Sequence, residues 1–273
     1  MINKDQIFRQ AITAVAVIFV FALVGIIYKV ITNKLGVGST KIGNDGMTLL
    51  YVPAGDFTMG SDTGELHEMP IHVVTLDGFW IDQTEVTNKM YSLCVDADVC
   101  QKPTDISSFT HPNYYGNFKF EDYPVIYVSW DMAKTYCEWA GRRLPTEAEW
   151  EKAAHGTEER TYPWGEALMA GFFANFNSTN DTMIVGSYED GKSPYGAYDM
   201  AGNVWEWVSD WYDSAYFQNS PLSNPLGPDS GDMKVLRGGS WNYDDYEIRT
   251  TNRNSAIPTN TYYNIGFRCA RSQ

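Results

Sequence analysis

The sequence has little positive charge, little histidine and no close pairing of metal-binding side chains, and each shortage removes a class of function. Its 20 Lys and Arg face 34 Asp and Glu, a formal charge of −14. A phosphate-binding surface needs cations to displace condensed counterions, so nucleic acid is excluded as a partner. Solubility alone accounts for the acidic balance. The four histidines, His67, His72, His111 and His155, are scattered without HxH or HxxE spacing. None of the four cysteines sits in a CxxC pair or close to a histidine, so no zinc site is encoded. No Ser-His-Asp or paired-carboxylate arrangement can be assembled from the sequence alone. Repeats and low-complexity boundaries are also absent after Gly46, which leaves one domain in a chain of 273 residues.

One long apolar run is present. Ala11 to Tyr28 carries no charge, with Lys4 and Arg9 before it and Lys29 and Lys34 after it. Its 18 residues are close to the minimum for a helix across a bilayer core. Bulky residues continue to its end with no small-x-small cleavage site, so an uncleaved anchor is expected over a signal peptide. The flanking charges are balanced and leave the orientation open. The cysteines bear on it. CVDADVC reads as a small loop closed by Cys94 and Cys100, and Cys137 and Cys269 are free to join distant parts of the chain. Two disulfides imply an oxidising compartment, so the folded part is expected outside the cytoplasm.

The expected organisation is a short segment 1–10, a transmembrane helix 11–28, a linker 29–45 and a single α+β, loop-rich domain 46–273. The stretches 47–60 and 71–82 predict strands from their alternation and their Gly and Asp boundaries. Three helices are expected. TEVTNKMYSLCVDA (84–97) opens at a threonine cap with Glu85 in its first turn, SWDMAKTYCEWAGRR opens at Ser129 and ends near Gly141, and PTEAEWEKAAHG is opened by Pro145 and closed by Gly156. The second half reads as loops rich in Gly, Asn, Asp and Trp. Loops on that scale need fastening by disulfides, ions or aromatic packing.

Several phrases then become specific. GMTLLYVPAGDFTMGS, FWIDQTEVTN, YPVIYVSWDMAKTYCEWAGRRLPTEAEWEKAA, YPWGE, YGAYDMAGNVWEWVSDWY, RGGSW and NIGFRCAR occur in this order. Together they resemble the formylglycine-generating enzyme, or sulfatase-modifying factor, family over residues 46 to 271. The resemblance implies an irregular fold related to C-type lectins. It also implies pairing of Cys137 with Cys269, a closure of a long loop worth about 4–5 kcal/mol in the chain-entropy model. The family's enzyme converts a cysteine to formylglycine with copper held by two cysteines shortly after the GGS phrase. Soft cuprous copper favours thiolates. The matching stretch here, WNYDDYEIRTTNRNS, has none. No catalytic residue and no copper are therefore expected. A sulfoxide-forming, non-haem iron branch of the wider family takes its histidines from a separate helical domain, for which these residues leave no room.

The resemblance further implies structural calcium. One site carries over to Asp199, Gly202, Val204 and Glu206, and a second to Asn175, Phe176 and Asp181. Hard Ca²⁺ takes six to eight oxygens from such mixtures of carboxylates and carbonyls. The bland alternative is that these are turn residues bonding their own backbone. Trp205, Trp207, Trp211 and Trp241 suggest a sugar-stacking platform, but core packing beneath the loops is the expected role.

What is left for function is the segment between RGGSW and IGFRCAR. Trp241, Asn242, Tyr243, Asp244, Asp245, Tyr246, Asn252, Asn254, Asn260, Tyr262, Tyr263 and Asn264 have the composition of a paratope, large amphipathic Tyr beside adaptable polar groups. The two flanking phrases would hold its ends still. The pattern resembles the variable proteins of diversity-generating retroelements, which place a mutable region before a final GFRxA-like phrase. Arg249 and Arg253 are expected to hold the loop. The chain thus reads as a membrane-anchored ligand-binding or accessory domain meeting a protein or glycan partner. The alternative is a formylglycine-generating or related non-haem metal-dependent oxidase acting on a thiol.

Overall fold

The computed structural model describes residues 35–167, 171–177 and 179–273. The expected segments 1–10 and 11–28 lie outside the described residues. Among the described residues no helix is long and apolar enough to cross a membrane. The folded unit starts at Val37, earlier than the expected boundary at residue 46. The reason is a short strand, β1 (Thr40–Ile42), which pairs antiparallel with β2 (Thr48–Val52). With one apolar residue in TKI there was no alternation to betray it.

Among the described residues, ten short strands and three α-helices make a mixed fold in which connections outweigh regular structure. β3 (Gly55–Met59) and β4 (His72–Leu76) form a two-stranded ribbon. β5 (Phe79–Asp82) lies between β2 and the C-terminal strand β10 (Ala270–Ser272), so both ends of the domain share one sheet. The second half carries more strand than its loop-like sequence suggests. β6 (Trp205–Trp211), β7 (Lys234–Arg237), β8 (Arg253–Ala256) and β9 (Ile265–Gly266) form a sheet in the order β8-β7-β6-β9. Its strands escape a period-2 search because β6 is buried on both faces. Trp205 and Trp207 enter one core, while Val208 enters the other and Glu206 is equally buried.

Helix α1 (Asn88–Asp96) is capped by Thr87, whose hydroxyl accepts from Met90 N, and not by Thr84. Residues before it are committed elsewhere: Val86 donates to Phe267 O and accepts from Val125 N, which pulls Glu85 inward. Ser129 caps α2 (Trp130–Trp139) as expected. For α3 (Glu147–His155) the cap is Thr146, in a reciprocal box with Glu149, and Pro145 precedes the helix rather than opening it. Every residue of α3 is buried although five are ionisable. Charged side chains survive there only because they are paired.

Two cores result. The first packs Trp150, Ala153 and Ala154 of α3 against β2–β5. The second gathers Tyr91 of α1, Tyr136 of α2, Trp205, Trp207 and Phe267, and both disulfides belong to it. Cys94–Cys100 closes the small loop and Cys137–Cys269 ties α2 to the chain end, leaving no free cysteine.

Candidate functional site

The C-terminal segment is mounted on a buried ionic frame. Arg253 in β8 reaches Glu147 of α3 with two parallel hydrogen bonds of 2.6 and 2.8 Å. Arg237 in β7 donates to the same carboxylate at 3.0 Å, to Glu151, and to the carbonyls of Thr250 and Thr251. All four ionic side chains are at most 3 % exposed. Arg249 makes a bidentate pair with Glu68, at 2.9 and 2.7 Å. Both arginines expected to hold the loop, Arg249 and Arg253, are placed where they do so. The acidic partners lie 86 to 181 residues earlier in the chain, which no local reading reveals.

Three of the twelve expected ligand-contacting residues belong to this frame and not to the surface. Trp241 is 5 % exposed, with its backbone bonded to Asn203 and Asn177. Asn252 is buried and donates to the carbonyl and carboxylate of Glu247. Asn264 is buried and donates to Ser240 Oγ and Asn242 Oδ1, both at 3.1 Å. A buried amide keeps its place by satisfying its own donors, so these side chains are struts. The others reach solvent. Asn242, Asp244, Tyr246 and Tyr262 are exposed, and Tyr243, Asp245, Asn254, Asn260 and Tyr263 are half-buried.

The surface is not continuous. Around Asn242, the rings of Trp241, Tyr263 and Phe109 meet at centroid distances of 5.2–5.9 Å. Phe109 is 61 % exposed and was invisible as a site residue, since nothing in its loop shows which residues lie across from it. At the other end Tyr246 stacks on Arg249 at 4.1 Å and bonds Glu65 at 3.0 Å. There Arg249 and Thr251 form part of the wall of a polar cleft of about 540 Å³. A larger cleft of about 930 Å³, between Trp130, Phe79 and Leu226, is lined by none of the twelve.

The stretch after the GGS phrase, where the resemblance implies that copper would need sulfur, carries phenols and no cysteine. Tyr243 packs edge-on against Trp205 at 5.5 Å and joins the second core. All four sulfurs are tied up in disulfides. These donors do not fit cuprous copper. Trp205 and Trp207 are core, as is Trp241, whereas Trp211 is only half-buried and stacks on Lys234 at 3.8 Å.

The residues expected to hold calcium have protein partners of their own. Glu206 is taken by Arg268, which bonds both its oxygens at 2.7 Å, and by the Trp150 indole at 2.8 Å. Asp181 accepts from Ser108, Thr110 and Thr182. Burial pushes its carboxyl up, but those hydrogen bonds outweigh burial and hold it below the usual range. Asn175 holds Asp181 O and Asn203 through its own amide, Phe176 is packed in a small aromatic core, and Val204 sits beneath Tyr114. Gly202 is required for another reason. It has φ +81°, and a Cβ there would lie 2.4 Å from Asn175 O. Asp199 faces Glu85, which sequence reading had assigned to a helix. Burial first, then the charge of Asp199, raises Glu85 well above the ordinary range, and burial raises Asp199 too.

Comparison with known proteins fits this geometry. A model of the sulfatase-modifying factor enzyme 1-like domain matches residues 38–273. The chain is 35 % identical over 276 residues to the formylglycine-generating enzyme of Streptomyces coelicolor, covering 80 % of this chain and 87 % of that one. It is 38 % identical over 238 residues to the serine/threonine-protein kinase Pkn1 of Chlamydia trachomatis, covering 82 % of this chain but 38 % of the kinase. Among solved structures, PvdO from Pseudomonas aeruginosa superposes with a TM-score of 0.75 at 27 % identity, over 88 % of this chain and all of that one. Treponema denticola variable protein 1 shares the fold, with a TM-score of 0.70 at 24 % identity over 88 % and 98 % of the two chains.

Proposed function

The chain belongs to the sulfatase-modifying factor family, and from that premise we propose that it is a non-catalytic member that binds a ligand through its C-terminal surface. Residues 11–28 anchor it in a membrane, and the folded domain stands in an oxidising, extracytoplasmic space. The observation that carries the reading is the fate of the cysteines. All four are paired in disulfides, and the stretch after the GGS phrase carries none of them. What the family uses for thiolate chemistry is here an exposed polar and aromatic surface on a rigid ionic frame. The same disulfides support the compartment.

The fold likeness to a Treponema variable protein favours one form of this reading, in which the surface differs from cell to cell. The frame makes that form specific. Asp244, Asp245, Tyr246, Asn260, Tyr262 and Tyr263 tolerate change, whereas Asn252 and Asn264 do not. Sequencing the 3′ end of the gene across a population of the source organism tests it. Substitutions at the first group that spare the second establish a diversified receptor, and an unvarying segment leaves a fixed partner, to be sought by pull-down with the full chain. The enzymatic alternative is tested by supplying copper, oxygen and a cysteine-containing peptide; formylglycine formation would overturn the proposal.

A further inference from the structure

The polar cleft beside Tyr246 has a lining that selects among ligand chemistries. Hydroxyls of Thr58, Thr63 and Thr251 share it with Asp62, Glu159 and Arg160. Its volume of about 540 Å³ falls within the roughly 300–1,000 Å³ of small-molecule sites. Ile71 is the only large aliphatic residue lining it, so an apolar ligand would find little to bury against. Its acids outweigh its cations in effect. Arg249 is neutralised by Glu68 and Arg160 is paired with Glu158 at 2.9 Å, while Glu159 is exposed. An anionic ligand would meet repulsion. A cation would find Glu166 already holding Thr161 through both oxygens, at 2.9 and 2.6 Å, and Asp62 holding Ile71 N at 3.0 Å.

A neutral polyol suits such a wall, because each of its hydroxyls donates and accepts, and the wall offers both roles. The aromatic element that a sugar ring needs for its C–H face is adjacent. Tyr246 is 42 % exposed, with one side of its ring backed by Arg249 in the cleft wall and its hydroxyl fixed on Glu65. We propose that this cleft, with Tyr246 at its rim, takes a neutral saccharide. The inference rests on the reading of the C-terminal surface as a binding surface and names the class of ligand at that end of it.

The test prints neutral hexose and N-acetylhexosamine oligosaccharides on an array, beside sialylated and sulfated glycans and a lysine-rich peptide. Full chain in detergent is applied, with three variants whose melting temperatures are checked first. Thr58→Trp fills the cleft from a strand position that faces away from the core, Thr58→Ala leaves it open, and Tyr263→Ala alters the distant aromatic patch. Neutral glycans are expected to be retained, at least tenfold less by Thr58→Trp and undiminished by Thr58→Ala. Retention that survives Thr58→Trp and falls with Tyr263→Ala overturns the cleft while leaving the binding surface. Retention of sulfated glycans or of the lysine-rich peptide alone overturns the neutral class. No retention of any probe also overturns the inference, whereas the wider reading falls only if pull-down and population sequencing fail as well.

Discussion

Replacing Glu147 by alanine separates the frame from the surface it carries. The carboxylate accepts three hydrogen bonds from two buried arginines, at 2.6, 2.8 and 3.0 Å. Arg237 keeps Glu151 and two carbonyls in the variant, so its charge stays compensated. Arg253 keeps the carbonyls of His67 and Asp213 and its stacking on Phe217 and Tyr212, but no carboxylate. One buried arginine therefore loses its counterion. Breaking a buried pair in this way costs about 3–5 kcal/mol. For a domain of this size each kcal/mol moves the midpoint by about 2–4 °C, so Tm should fall by roughly 6–20 °C. Glu147→Gln retains one acceptor and the shape, and should lose about half as much. Thermal melts of Glu147→Ala, Arg253→Met and the double variant give the coupling directly. Amide exchange across residues 242–264 should accelerate in Glu147→Ala, whereas Asp245→Ala should alter neither measurement. A Tm change below about 2 °C, or additive single effects, would refute the idea that this ion pair mounts the surface.

The two disulfides close loops of very different length, with separations of 132 and 6 residues. The chain-entropy relation gives about 5 kcal/mol for Cys137–Cys269 and about 2 kcal/mol for Cys94–Cys100; paired Cys→Ala variants should melt in that order, and equal losses would count against loop closure as the cause. Burial, followed by the charge of Glu147, raises Asp210 to about 7. Its folded form keeps a proton that the unfolded chain has released, so stability falls as pH rises from about 4 to 7. Asp210→Asn should flatten that slope in urea titrations and leave the protein more stable at alkaline pH; an unchanged slope would show that another group governs it. Because Glu206 and Asp181 are committed to protein donors, millimolar Ca²⁺ or a chelator should shift Tm by less than about 2 °C. A larger rise with Ca²⁺ would mean that Arg268 releases Glu206 to the ion.

The sequence by itself determined the family, the small loop closed by Cys94 and Cys100, and two of the helix boundaries. Those follow from signals confined to a few neighbouring residues: a capping serine, a closing glycine, a short loop between cysteines, or phrases such as RLPTEAEWE. It also pointed to a segment that reaches solvent, since nine of the twelve residues named there are exposed or half-buried. Tertiary structure decided the rest. Burial of β6 on both faces erased its alternation, and a three-residue strand extended the domain toward its N-terminus. Asn252 and Asn264 are indistinguishable in sequence from Asn242, yet they face inward because donors and acceptors far along the chain claim them. Phe109 enters the surface, and Glu206 takes Arg268 as its partner, for the same reason. Which polar group satisfies which is a matter of three-dimensional proximity, and a buried partner outweighs any local preference because leaving it unpaired costs more than the preference is worth.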